Sequence, residues 1–107
     1  MRIEVGLQMA EYRADHFEPL AGETFEFATP GGERLELRLL EVKRGQRLHA
    51  KLREPFSLLF ALESAWGPHS GTLFLKRDGF EEAGWFVSRV SVLGGDPGVA
   101  YCEAVFG

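Results

Sequence analysis

One cysteine, no asparagine and no long apolar run set the first limits on this 107-residue chain. Cys102 stands alone, so no disulfide can form within the chain. No stretch reaches the roughly 20 apolar residues that cross a bilayer as a helix. Residues 1–9 interleave Arg2 and Glu4 with Ile3 and Val5, which is not the continuous apolar centre of a secretory signal. Those two absences predict a cytoplasmic chain with no membrane contact. Asparagine is missing altogether, and Arg outnumbers Lys nine to three. Loss of thermolabile amides marks high-temperature proteins, and Arg in place of Lys is also what a GC-rich genome produces, so the bias points to a thermophilic or GC-rich bacterial source.

What is abundant is apolar surface. Hydrophobic residues make up 45% of the chain and aromatics 12%, with nine Phe and two Trp. That is a composition that folds, and it excludes intrinsic disorder. A chain of this length buries about two-thirds of its unfolded surface around one core, so we expect a single β domain over residues 1–107.

The β assignment comes from period-two alternation of apolar and polar residues in short segments separated by Gly and Pro. Residues 2–9, 34–39, 56–62, 85–93 and 99–106 carry it, and Thr24–Ala28 and 72–77 add two more strands. Thr29, Pro30, Gly31 and Gly32 predict a hairpin between Thr24–Ala28 and 34–43. In the longer partner the apolar set runs Leu35, Leu37, Leu39 and then changes parity to Leu40 and Val42, which predicts a β-bulge. Asp78-Gly79 predicts a tight hairpin turn. The strand at 56–62 is apolar on both faces, so it should be central. Tyr12, His16 and Phe17 fall at helical spacing within residues 10–17, and Pro19 should end that helix. The sum is a mainly β fold, a small antiparallel β-barrel or sandwich of six to seven strands with one short N-terminal helix.

Catalytic and metal constellations are absent from the pattern. Asp15 and His16 would need a nucleophilic serine, but the chain has no Gly-x-Ser-x-Gly elbow. His16, His49 and His69 lie far apart, without the paired spacing that puts two ligands on one metal. Cys102 falls inside a strand with no flanking cation to lower its pKa, so it reads as a small buried hydrophobe. Glu81 with Glu82, and Glu36 with Glu41, read as solvated faces rather than opposed carboxylates. No glycine cluster precedes a helix as a phosphate loop would. The chain therefore implies no enzyme activity, cofactor or metal.

One stretch departs from this pattern. Lys43, Arg44, Arg47, Lys51 and Arg53 place five cations and no acid within residues 43–53, whereas the rest of the chain has 7 basic against 16 acidic residues. The stretch is thus about +5 and the remainder about −9. These five residues are the candidate interaction surface, through self-association or a protein partner. Nucleic acid is disfavoured, because a net charge of −4 opposes broad contact with a phosphate backbone.

Three short runs also carry a resemblance: Phe17, Glu18, Pro19 and Leu20 followed by Gly22 and Phe25; then 53–60, from Arg53, Glu54 and Pro55 through Phe60; and Tyr101 with Glu103, Ala104, Val105 and Phe106 at the close. Together they resemble a family of small bacterial proteins of unknown function, some of them associated with phage-tail-like or tail-collar genes. The resemblance covers about four-fifths of the chain but rests on packing residues, so it implies a fold more than an activity. It favours a non-enzymatic structural or protein-interaction module, with a small β-barrel that binds a small molecule or anion as the alternative. The barrel interior decides between them, since a filled core suits a module and a cavity with convergent polar groups suits a binder.

Overall fold

The computed structural model describes residues 6–46, 54–62 and 70–107. Among these, six strands close into an antiparallel barrel: β1 (Thr24–Ala28), β2 (Arg34–Arg44), β3 (Phe56–Leu62), β4 (Ser70–Leu75), β5 (Gly84–Val90) and β6 (Ala100–Phe106). The order around the barrel is β1-β2-β3-β6-β5-β4, and β4 returns to β1 through Phe27↔Leu75 and Ala28↔Phe74. Closure gives every strand two neighbours and leaves no long exposed edge, the standing liability of small antiparallel sheets.

Alternation sets which side chains point inward. Phe25 and Phe27 of β1, Leu35, Leu37 and Leu39 of β2, Phe56, Leu58 and Phe60 of β3, Leu73 and Leu75 of β4, Trp85 and Val87 of β5, and Cys102 and Ala104 of β6 are all buried. The register of β2 against β3 shifts between Leu39 and Glu41, so the predicted bulge is present and leaves Leu40 exposed. Rings fill the interior. Phe60 sits 5.6 Å from Phe25 and 5.7 Å from Phe27, centroid to centroid, and Phe27 sits 5.3 Å from Trp85.

One end of the barrel is plugged by the N-terminal segment. Helix α1 is a single turn, Ala14–Phe17, with 3-10 turns before it at Met9–Glu11 and after it at Glu18–Leu20. Tyr12 and Phe17 are fully buried, and the Tyr12 ring contacts Phe17, Phe80, Trp85 and Phe106. Its hydroxyl accepts a hydrogen bond from Trp85 Nε1 at 3.2 Å, so the indole donor is satisfied inside the core.

Several expectations are corrected at the ends of elements. The strand expected at 2–9 does not continue into its described part, since residues 1–5 lie outside the described residues and Leu7 makes only a one-residue parallel bridge to Phe80. The helix expected over 10–17 is interrupted at Tyr12 and Arg13, whose extended backbone turns the tyrosine ring into the core. α1 does end at Phe17, ahead of Pro19, and the chain goes on as a 3-10 turn in which the proline sits near the start, where its missing N–H has no partner to lose. Asp78-Gly79 forms a turn closed by Phe80 N–H to Arg77 O, but at the tip of a longer connection between Leu75 and Gly84. That tip is clamped to the N-terminal segment, with Leu7 N–H donating to Gly79 O and Glu81 N–H donating to Leu7 O. Gly6 is required for this approach, because a Cβ there would lie 2.5 Å from Glu81 N. β5 ends at Val90 rather than 93, and Leu93 is fully exposed in the following turn.

Candidate interaction surface

A closed barrel has an outer face as well as a core, and the strand register reads it out. Lys43 of β2 lies opposite Ser57 of β3, and Ser57 opposite Val105 of β6. One row along, Glu41 faces Leu59, Leu59 faces Glu103, and Glu103 faces Ser88 of β5. Leu59 is thus the outward side of the doubly apolar strand β3, half-buried between Glu41 and Glu103.

The β5–β6 ladder runs from Val87↔Ala104 to Val90↔Tyr101 and goes no further. Beyond it, β5 stays paired with β4 through Thr72↔Phe86 and Phe74↔Gly84, while β6 stays paired with β3 through Ser57↔Val105 and Phe56↔Phe106. The two strands therefore part from each other while each keeps its other neighbour. The opening is a surface groove of about 690 Å³ with Gly84 and Phe86 on one wall, Val105 and Phe106 on the other, and Met9 and Ala10 at its end. Phe86 is 65% exposed, Val105 67% and Met9 40%. Exposed large hydrophobics concentrate here, with only Leu40 and Leu93 elsewhere among the described residues. Glu103 is the one charged side chain among the lining residues. On the far flank of Val105 a second groove of about 270 Å³ is lined by Lys43, Arg44, Gly45, Pro55, Phe56 and Ser57. Val105 is the ridge between the two.

Of the five cations expected to form an interaction surface, the structure places Lys43 and Arg44; Arg47, Lys51 and Arg53 lie outside the described residues. Lys43 borders the Val105 ridge, as above. Arg44 is committed within its own chain. Its guanidinium donates to Glu54 Oε1 at 2.6 Å and also to Asp15 and Glu18 of the plug. These three acids against one base tie the plug to the end of β2 and the start of β3. Its hydrogen bonds to Glu18, then Asp15 and Glu54, raise the Arg44 pKa above its ordinary value. The Arg44 hydrogen bond, and then its charge, lower that of Asp15.

A carboxylate with a depressed folded pKa contributes stability above its unfolded value and loses it as pH falls through the folded one. Arg44→Gln is therefore expected to be less stable than the parent at neutral pH by a modest amount, since the pairs are solvent-exposed. The gap should close as pH drops below the ordinary aspartate value of about 3.9. Thermal unfolding midpoints of both proteins across an acid series measure it, and a gap independent of pH would contradict the assignment.

The other candidates for chemistry are occupied structurally. His16 Nδ1 accepts the Arg13 backbone N–H at 3.0 Å, capping α1 while its neighbour Asp15 turns to Arg44. His49 and His69 lie outside the described residues. Burial pushes the Cys102 thiol pKa up, which disfavours a thiolate nucleophile. Glu82 pairs with Lys76 at 2.6 Å, and Glu36 lies opposite Glu26 on the outer face of β1 and β2. Among the described residues no cluster of three His, Cys, Asp or Glu side chains is placed to hold a metal ion, and no helix is long and apolar enough to cross a membrane.

Sequence reading missed Phe86 and Val105. The signal was parity: Trp85 and Val87 both point inward, so the phenylalanine between them must point out, and Val105 stands likewise between Ala104 and Phe106.

The pattern of a family described as Domain of unknown function (DUF6916) matches residues 12–106. The chain belongs to the DUF6916 family. No curated protein and no solved structure matches it. The DUF6916 match begins at Tyr12, where the chain enters the barrel end, and closes at Phe106, the last residue of β6, so it takes in the plug and all six described strands. Met9 and Ala10, at the end of the groove, precede it.

Proposed function

We propose that this DUF6916 chain is a non-enzymatic protein-interaction module that docks through the outer surface of β5 and β6. One observation carries the reading: Phe86 and Val105 stand about two-thirds exposed on the two walls of one groove, on a barrel whose interior is filled by rings. A small domain gains nothing for its own stability from two large apolar side chains in water, and concentrated apolar surface of this kind marks binding sites. The alternative, a barrel that takes a small molecule or anion inside, needs space that Phe25, Phe27, Phe60 and Trp85 occupy. The family resemblance suggests a phage-tail-like assembly as the setting, where a docking face repeated on each copy would serve a structural role.

A photo-crosslinking amino acid placed at Phe86, and in a separate protein at Glu36 on the outer face of β2, tests the face in the native host. Crosslinked protein products are expected from position 86 and not from 36. Equal yields at both positions, or none at 86, would reject β5–β6 as the docking face.

A further inference from the structure

We propose that the β5–β6 groove receives residues 47–53 of a second copy of this chain. The inference rests on the reading of this face as a docking surface and names its occupant. Charge and polarity select it. The groove offers apolar walls from Met9, Phe86, Val105 and Phe106 and one charged side chain, the acid Glu103. Its complement is a segment that alternates apolar residues with cations. Residues 47–53 read Arg47, Leu48, His49, Ala50, Lys51, Leu52, Arg53: three cations, two leucines and no acid, on a chain whose residues outside 43–53 sum to about −9. Arg44 is held by Asp15, Glu18 and Glu54 of its own chain, so it is not counted in the donor segment.

The donor and acceptor are different surfaces of one molecule, so copies can exchange them reciprocally or pass them on from copy to copy. The basic stretch departs after the end of β2, and Gly45 and Pro55 line the small groove on one flank of Val105, while the acceptor groove lies on the other flank. Reciprocal exchange closes at twice the monomer mass, and a one-way contact continues into a ring or a filament. The acceptor is also where the β5 and β6 backbones face a gap with no ladder between them, the arrangement that accepts an extended segment.

Light scattering on the purified full-length chain tests this. At low salt a mass above the monomer is expected, falling towards the monomer as salt screens the charge contacts, whose range is about 10 Å at 0.1 M. Arg47→Glu combined with Lys51→Glu removes the donor, and Phe86→Glu removes the acceptor. Each change is expected to weaken association about tenfold or more by opposing like charges or by charging the apolar wall. Phe86 stands outside the core, and unchanged thermal unfolding of both variants verifies that the barrel is intact. Mixing the two monomeric variants is the decisive arm. The intact groove of one meets the intact basic stretch of the other, and association should stop at a one-to-one pair of twice the monomer mass. A parent that is monomeric at every salt concentration, an oligomer indifferent to the donor changes, or a mixture that stays monomeric would each overturn docking of residues 47–53 in the groove. Crosslinking from Phe86 to a different protein, beside a monomeric purified chain, would overturn this inference while leaving the docking face standing.

Discussion

A chain that ends at Gly98 is expected to lose the barrel altogether. β6 pairs with β3 over seven positions, from Phe56↔Phe106 to Leu62↔Ala100, and with β5 over four. It also brings Ala100, Cys102 and Ala104 into the core and stacks Phe106 on Phe56 at 5.1 Å, with Trp85 edge-on at the same distance. Without β6, β3 and β5 each become an edge, the interior opens to water and two ladders are lost together. Exposed edges of this kind pair with other chains, so the truncated protein should aggregate or show no cooperative thermal transition. A soluble monomer that unfolds as cooperatively as the parent would show that the barrel does not depend on β6.

Phe60→Ala should strongly destabilise the barrel. The ring is fully buried and meets Phe25, Phe27 and Trp85 at centroid distances of 5.6, 5.7 and 6.3 Å. Its loss removes apolar contact from β1 and β5 at once and leaves a void that the closed barrel can collapse on only in part. Such changes cost about 3–5 kcal/mol, a large share of the roughly 5–15 kcal/mol that holds a domain of this size together. Urea unfolding reads the effect as a lower midpoint. A Phe60→Ala curve that overlays the parent's would place this side chain outside the core.

The two predictions draw on different kinds of information. Phe60 was identifiable as core from the sequence because its strand alternates Phe56, Leu58, Phe60 after Pro55, and a period-two pattern states which side chains share a face without reference to any partner. The same local logic located β1 at Thr24–Ala28, its hairpin to β2, and the bulge where Leu39 gives way to Leu40. It could not say which strands become neighbours around the barrel. β3 meets β6 and β1 meets β4 across long stretches of chain, and alternation is the same whether a sheet closes on itself or packs on a second sheet. Barrel or sandwich was therefore undetermined until those pairings existed.

The basic stretch shows the same division. Its charge is a property of composition and was legible at once, but what each cation does depends on distant residues. Arg44 meets acids 29 and 26 positions away, an encounter made only when the plug folds over the end of β2. Phe86 and Val105 likewise become walls of one groove only because β5 and β6 diverge after Val87 and Ala104. On its own, the sequence determined the fold class, the β1–β2 hairpin, the bulge and most of the inward-facing core, because these follow from the spacing of side chains along a pleated strand. Closure of the barrel, the plug, the partners of Arg44 and the apolar groove were decided by tertiary structure, because each is a relation between segments that nothing local to either segment encodes.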